Sequence, residues 1–336
     1  MKKNRIILLT LLVLVSGLSI LYLVLSQKKP VSENPAAFPA PAIPDYVKGQ
    51  IIFEFNIDST NPILPQKVSY LRQSLNTPIP DEEIKKIATN LGFTKEASSI
   101  NDIKMGPVYF YNNPNNFLTI YPQIRKIKFG PATSSDSRIL SAINKNLTDN
   151  AMVAIAEDFL INKVGLPKGG IKFNNFIYLE RDPTLELFKE TDKNSAQIFQ
   201  LNFTPSDAIY PILTLNPQQT TIYAQVLKDG TVLNSEVVFP GKLSPSINEY
   251  PIKSLEQIKN EADKAVLVSL NDSNINLPDL KEGSVRNITV EKVSLVYLLD
   301  KPLAEELLPV FLLEGKASVQ GYNNLLNVSL YLPAYP

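Results

Sequence analysis

Apolar positions divide this chain into one unbroken run and a long series of shorter, periodic ones. The run is Ile6 to Leu25, IILLTLLVLVSGLSILYLVL, twenty residues without a charge. At about 1.5 Å per helical residue it spans the roughly 30 Å hydrocarbon core of a bilayer. Downstream the period changes. Asp81–Leu91 places Ile84, Ile87, Ala88 and Leu91 at helical spacing, behind Pro80 and an acidic first turn and ahead of Gly92. A second helix is predicted over Asp149–Lys163, with Met152, Ile155, Ala156 and Phe159 as its stripe, Thr148 as N-cap and Gly165 as its stop. A third is predicted over Leu255–Val268, on Leu255, Ile258, Ala262 and Ala265, with Ser254 and Gln257 forming a capping box.

The intervening runs read as strands. Gln50–Asn56 opens the series, and Val108–Tyr111 with Phe117–Tyr121 predicts a hairpin across Asn112–Asn116. Further runs lie at Ile124–Phe129, Ile171–Leu179, Ala196–Phe203, Thr220–Lys228 and Thr231–Phe239. Asp229-Gly230 between the last two predicts a type I′ turn, because that dipeptide tolerates φ > 0 at both central positions. Ile288–Leu299, Leu307–Val319 and Leu325–Leu332 complete the chain. The last alternates Leu326, Val328, Leu330 and Leu332 with more polar residues, and a phase change at Glu291-Lys292 predicts a bulge.

One helix followed by several antiparallel strands, repeated, predicts an α+β fold: an N-terminal transmembrane helix, then tandem helix-plus-antiparallel-sheet units. The divisions are a signal anchor (1–27), a linker (28–47) and three units at 48–135, 136–245 and 246–336. The linker holds Pro30, Pro35, Pro39, Pro41 and Pro44, which favour an extended spacer. Lys2, Lys3 and Arg5 precede the apolar run and Lys28 and Lys29 follow it, a bias toward the N-terminus inside. A cleaved signal peptide would carry an apolar core of only about 7–15 residues, and a lipoprotein would need a cysteine. The expectation is a single-pass protein of the cell membrane, touching the bilayer through Ile6–Leu25, with its C-terminal region extracytoplasmic.

Composition then narrows the chemistry. Lys+Arg and Asp+Glu are 33 each, so no basic excess points to nucleic acid. His, Cys and Trp are absent. Thiolate nucleophiles, disulfides, Ser-His-Asp triads and the usual zinc sites are therefore excluded, and a carboxylate-only mechanism is what survives. Glu82-Glu83, Glu180 with Asp182, and Glu305-Glu306 are the available acid pairs. Glu82-Glu83 sits where acids complement a helix dipole. Asp272, Asn274 and Asn276 have calcium-loop spacing, but Leu277 and Gly283 stand where that loop needs Gly and Glu, so a polar surface loop is expected. Asn146, Asn202, Asn271, Asn287 and Asn327 each begin an N-x-S/T triplet and are given no role. Tyr109, Phe110, Tyr111, Phe117 and Tyr121 crowd the first hairpin, as core on one face or a contact patch on the other, core being the commoner use of strand aromatics. No catalytic residue, cofactor or metal is assigned, and nothing in the sequence indicates an oligomeric state.

The final unit carries a resemblance. Tyr250-Pro251-Ile252-Lys253-Ser254-Leu255-Glu256-Gln257, then Val293-Ser294-Leu295-Val296-Tyr297, Leu308-Pro309-Val310-Phe311 and Glu314-Gly315, resemble the C-terminal unit of YycH/YycI-type extracytoplasmic regulators. They also resemble the wider PepSY-like helix-plus-sheet modules. The resemblance implies a chain held by one N-terminal helix that binds a membrane sensor histidine kinase, with no catalytic residues to transfer. Regulation or scaffolding of a membrane partner is the expected function, and an envelope ligand- or polymer-binding module (or carboxylate-only envelope enzyme) is the alternative. Ser16, Gly17 and Ser19, small residues in mid-span, suit close helix–helix approach.

Overall fold

The computed structural model describes residues 41, 43–45, 49–57, 64–74, 77–133, 138–139, 147–181, 188–217, 219–238, 242–270, 277–301 and 304–336. In chain order the elements begin β1 (Ile52–Phe55), β2 (Lys67–Val68), β3 (Leu71–Gln73), α1 (Asp81–Asn90), β4 (Ser98–Asp102), β5 (Gly106–Asn112), β6 (Asn116–Tyr121) and β7 (Lys126–Pro131). Then come α2 (Asp149–Asp158), β8 (Ile171–Arg181), β9 (Phe188–Glu190), β10 (Ile198–Pro205), β11 (Ile212–Leu213), β12 (Ile222–Leu227), β13 (Val232–Val238) and β14 (Leu243–Pro245). The chain closes with β15 (Tyr250–Pro251), α3 (Leu255–Asn260), β16 (Val266–Leu270), β17 (Val285–Leu298), β18 (Glu306–Val319) and β19 (Leu326–Pro333).

Capping follows the local chemistry. Thr148 Oγ1 accepts from the Ala151 amide at 3.3 Å, and Ser254 and Gln257 form the reciprocal capping box. Beyond Asp158, α2 widens into a π-turn over Phe159–Lys163, and the Phe159 ring packs 5.4 Å from that of Phe129. Two local expectations are corrected. The third helix stops at Asn260, and the β-branched run Val266–Leu270 pairs with β19 as strand β16, because sheet pairing outweighs a weak helical stripe. The Asp229-Gly230 hairpin forms, but only Gly230 has positive φ (+91°). Its amide donates to Leu227 O at 2.9 Å, closing a four-residue turn whose last residue is left-handed, with a register shift at Val226 in place of type I′.

The nine-stranded sheet runs β4-β5-β6-β7-β13-β12-β10-β8-β9. It is two antiparallel meanders joined where β7 pairs with β13. Both α1 and α2 lie on one face. Ile84, Ile87, Met152, Ala156 and Leu160 share a core there with Leu118, Ile120, Phe129, Phe199, Leu201 and Phe203. The eight-stranded sheet runs β1-β17-β18-β19-β16. The outer edge of β17 is covered at one end by β1 and at the other by β11, both parallel to it. β3 joins that sheet by pairing with β18 and with β14. Buried Lys253 (4% exposed) ties down the C-terminus: its Nζ donates to Pro333 O at 2.8 Å and to Tyr335 O.

The expected α+β architecture of tandem helix-plus-sheet units is overturned. Strand makes up 46% and helix 15% of the described residues. The first two meanders fuse into one sheet, and the stretch 48–135 contributes strands to both sheets. The physical reason is edge pairing: a lone meander leaves two rows of backbone groups unpaired, and fusion at β7–β13 removes one row from each. Among the described residues no helix is long and apolar enough to cross a membrane; Ile6–Leu25 lies outside them.

Candidate functional site

Two places in the described structure combine a cavity with chemistry that recognises a ligand. The first is a groove of about 420 Å³ between α1 and the β4–β5 edge. Its floor is apolar, made by Ile84, Ala88, Phe93, Tyr109 and Tyr111, and its rim carries Asp81, Lys85, Lys95 and Glu96. Helical spacing brings Ile84 and Ala88 to one face, and strand alternation brings Tyr109 and Tyr111 to the same side of the sheet. Tyr109 Oη donates to Asp81 Oδ1 at 3.4 Å, and burial followed by that carboxylate raises the phenol's pKa.

The segment Phe93–Ala97 that lines this groove leads directly into β4, which is an edge strand. Among the described residues only β5 pairs with it. Its sequence, Ser-Ser-Ile-Asn-Asp, has no Lys or Pro, the residues that usually blunt an edge. Register sets Ser99 opposite Tyr109, on the groove side, and Ile100 opposite Val108, on the other. Ile100 is 58% exposed. The turn that follows is held firm: Asp102 Oδ1 accepts from the Lys104 and Met105 amides at 2.8 Å each, which keeps its carboxyl below the usual range. Ile103 at the tip is fully exposed.

The second place is an open cleft of about 320 Å³ between the two sheets. One wall is a transverse polar row across four strands, Lys292, Glu314, Ser329 and Ser269, in register. Lys292 Nζ pairs with Glu314 Oε2 at 2.8 Å. The other wall is the side of β8 and β9 turned away from α1 and α2, with Asn175, Ile177 and Glu190. Glu190 is solvent-accessible as a residue, yet protein crowding around its carboxyl, and then Glu314, push its pKa up.

The sequence-level candidates scatter. Glu82 and Glu83 lie in the first turn of α1, Glu180 pairs with Lys189 at 3.1 Å, and Glu306 with Arg72 at 3.6 Å. The Glu305 carbonyl accepts from the Gln73 amide. Asp182, Asp272, Asn274, Asn276, Asn146 and Asn271 lie outside the described residues. Asn202 is buried in a carboxamide chain, Asn287 is exposed on β17, and Asn327 lines the cleft. Tyr111 is core, while Phe110, Phe117 and Tyr121 are half-buried. Tyr109 and Tyr111 also line the groove, so these two hairpin aromatics belong to the core and to the groove wall together. Glu190, Glu314 and Lys292 are not site candidates in the sequence, where Glu314 and Lys292 stand out only as motif and bulge residues, because each comes from a different strand and only sheet packing gathers them.

No protein-family model matches the sequence, and no curated protein matches it. Among solved structures, the chain is similar to a crystal structure of an uncharacterized protein from Eubacterium rectale ATCC 33656. The two are 14% identical, with a TM-score of 0.49, over 84% of this chain and 89% of that one. At that distance the likeness has no bearing on function.

Proposed function

We propose that this protein is a membrane-anchored, extracytoplasmic, non-catalytic binding protein that regulates or scaffolds a membrane partner, and that it grips an extended segment of that partner at β4. The observation that carries the reading is the unguarded edge of β4 beside an apolar groove. A guest strand added there would satisfy the outward row of backbone groups, the mode called β-augmentation. Alternate guest side chains would point into the groove over Ile84, Ala88, Phe93 and Tyr111, and the remainder would meet Ile100. Ser99 stands in register with Tyr109, on the side of β4 that faces the groove, and its small side chain would leave a guest strand room there. The occupant is therefore an extended peptide with apolar residues at alternate positions. The mixed charges of Asp81, Lys85, Lys95 and Glu96 suit a partner without strong net charge.

The anchor of this reading is Ile6–Leu25, and its non-catalytic character rests on the missing His and Cys. The second reading, an envelope ligand-binding module, is supported by the polar inter-sheet cleft. In-cell photocrosslinking of the full-length protein with a photoreactive residue at Ile103 tests the first. One specific membrane protein should be captured, and Ser99→Lys should abolish the capture by placing a charge at the groove. If no membrane protein is captured, or if capture survives Ser99→Lys, edge docking is wrong.

A further inference from the structure

The inter-sheet cleft has features that peptide docking at β4 does not use. A chain of carboxamides crosses the face of the nine-stranded sheet turned away from α1 and α2 and ends in the cleft. Gln225 Nε2 donates to Gln200 Oε1 at 3.0 Å, Gln200 Nε2 to Asn202 Oδ1 at 3.2 Å, and Asn202 Nδ2 to Asn175 Oδ1 at 3.2 Å. Gln225, Gln200 and Asn202 are buried, so satisfying them fixes the direction of the chain. The Asn174 amide also donates to Asn175 Oδ1, at 3.1 Å. With its oxygen accepting twice, Asn175, which lines the cleft, has its NH₂ as the group to offer a ligand.

Acceptors stand on both walls. Glu190 beside Asn175, and Glu291 and Glu314 opposite, contribute carboxylates, and Asn327 Oδ1, also opposite, accepts from Lys316 Nζ. Ser269 and Ser329 add hydroxyls, and Lys292 adds an ammonium. Donors and acceptors are thus interleaved at close quarters, in a volume within the usual range for small-molecule sites. Three carboxylates against Lys292 and Lys316 disfavour phosphates and other anions. The scarcity of apolar lining disfavours lipids and aromatic ligands.

Vicinal hydroxyls, each able to donate and accept, are what match such a surface. We infer that the cleft between β8–β9 and the Lys292–Glu314–Ser329–Ser269 row binds a small saccharide, its hydroxyls donating to Glu190 and Glu314 and accepting from Asn175. The inference stands apart from the β4 reading, since the two sites share no residue.

The test is calorimetric titration of the full-length protein with cellobiose, maltose and chitotriose, and with spermidine as a cationic probe. At least one saccharide should bind saturably. Asn175→Ala and Glu190→Gln should each weaken it at least tenfold, while Lys86→Ala, at an exposed position of α1 outside both cavities, leaves it unchanged. Circular dichroism confirms folding, and Ser329→Ala, a smaller change, should weaken binding if either primary variant misfolds. Absence of binding by all three saccharides, binding indifferent to these substitutions, or saturation by spermidine alone would overturn the assignment.

Discussion

Replacing Gly315 by alanine tests how closely β17 and β18 are built. A Cβ at 315 would lie 2.0 Å from Thr289 O and 2.9 Å from Val290 Cα, both backbone atoms that no rotamer change can move. Reaching an ordinary contact requires roughly 1.4 Å of strand separation. The site sits at the bulge where pairing shifts between Val290 and Lys292, so the ladder is already irregular there. Separation of that size breaks about two flanking hydrogen bonds, each worth about 1 kcal/mol net. Overpacking adds about 1–3 kcal/mol. The expected loss is therefore about 3–5 kcal/mol, and at about 2.1 cal/mol/K of unfolding entropy per residue a chain of this size should melt about 4–7 °C lower. Gly283→Ala is the control. Its φ is +71° and nothing lies within 4 Å, so it pays backbone strain alone, about 1 kcal/mol. Urea unfolding of both full-length variants measures the difference, and hydrogen exchange at 288–293 and 313–317 localises it. Equal losses in the two variants, or a Gly315→Ala protein within experimental error of wild type, would show that the strands yield without cost.

Lys253→Met should destabilise the chain by about 2–3 kcal/mol, because it strands the Pro333 and Tyr335 carbonyls in a buried site; carboxypeptidase should then release 333–336 faster, and unchanged trimming with unchanged stability would refute the tether. Glu190 gives a pH prediction. Its folded pKa is raised above the ordinary carboxylate value of 4.5, by burial first and Glu314 second. The folded state therefore holds its proton longer, and stability declines as pH rises from below 4.5 through the folded pKa, then levels. Glu190→Gln should match wild type below pH 4.5, where the carboxyl is protonated in both states, and should lack this decline above it. Parallel curves in denaturant titrations would refute it.

Local pattern determined most of the local structure. The stripe of Ile84, Ile87 and Ala88, the Thr148 and Ser254 caps, the first hairpin and the bulge at Glu291-Lys292 were all legible, because each depends on neighbours within a few residues. The capping box is an example: Ser254 and Gln257 satisfy each other whatever the rest of the chain does. The missing His and Cys likewise bounded the chemistry before any fold was known. Short strands escaped notice, since β2, β11 and β15 have two residues each and show no period.

What tertiary structure alone decided is which strands share an edge. β1 lies beside β17, more than two hundred residues away in sequence, and β7 beside β13, and no periodicity encodes either choice. Those pairings turned an expected row of helix-plus-sheet units into two large sheets. They also created both candidate sites. The groove exists because Ile84 and Ala88 of α1 face Tyr109 and Tyr111 of β5, and the cleft because Asn175 and Glu190 of one sheet face Lys292 and Glu314 of the other. Period specifies which face of a strand is apolar, but backbone hydrogen bonds are the same for every residue, so the choice of partner strand is settled by the packing of the whole chain.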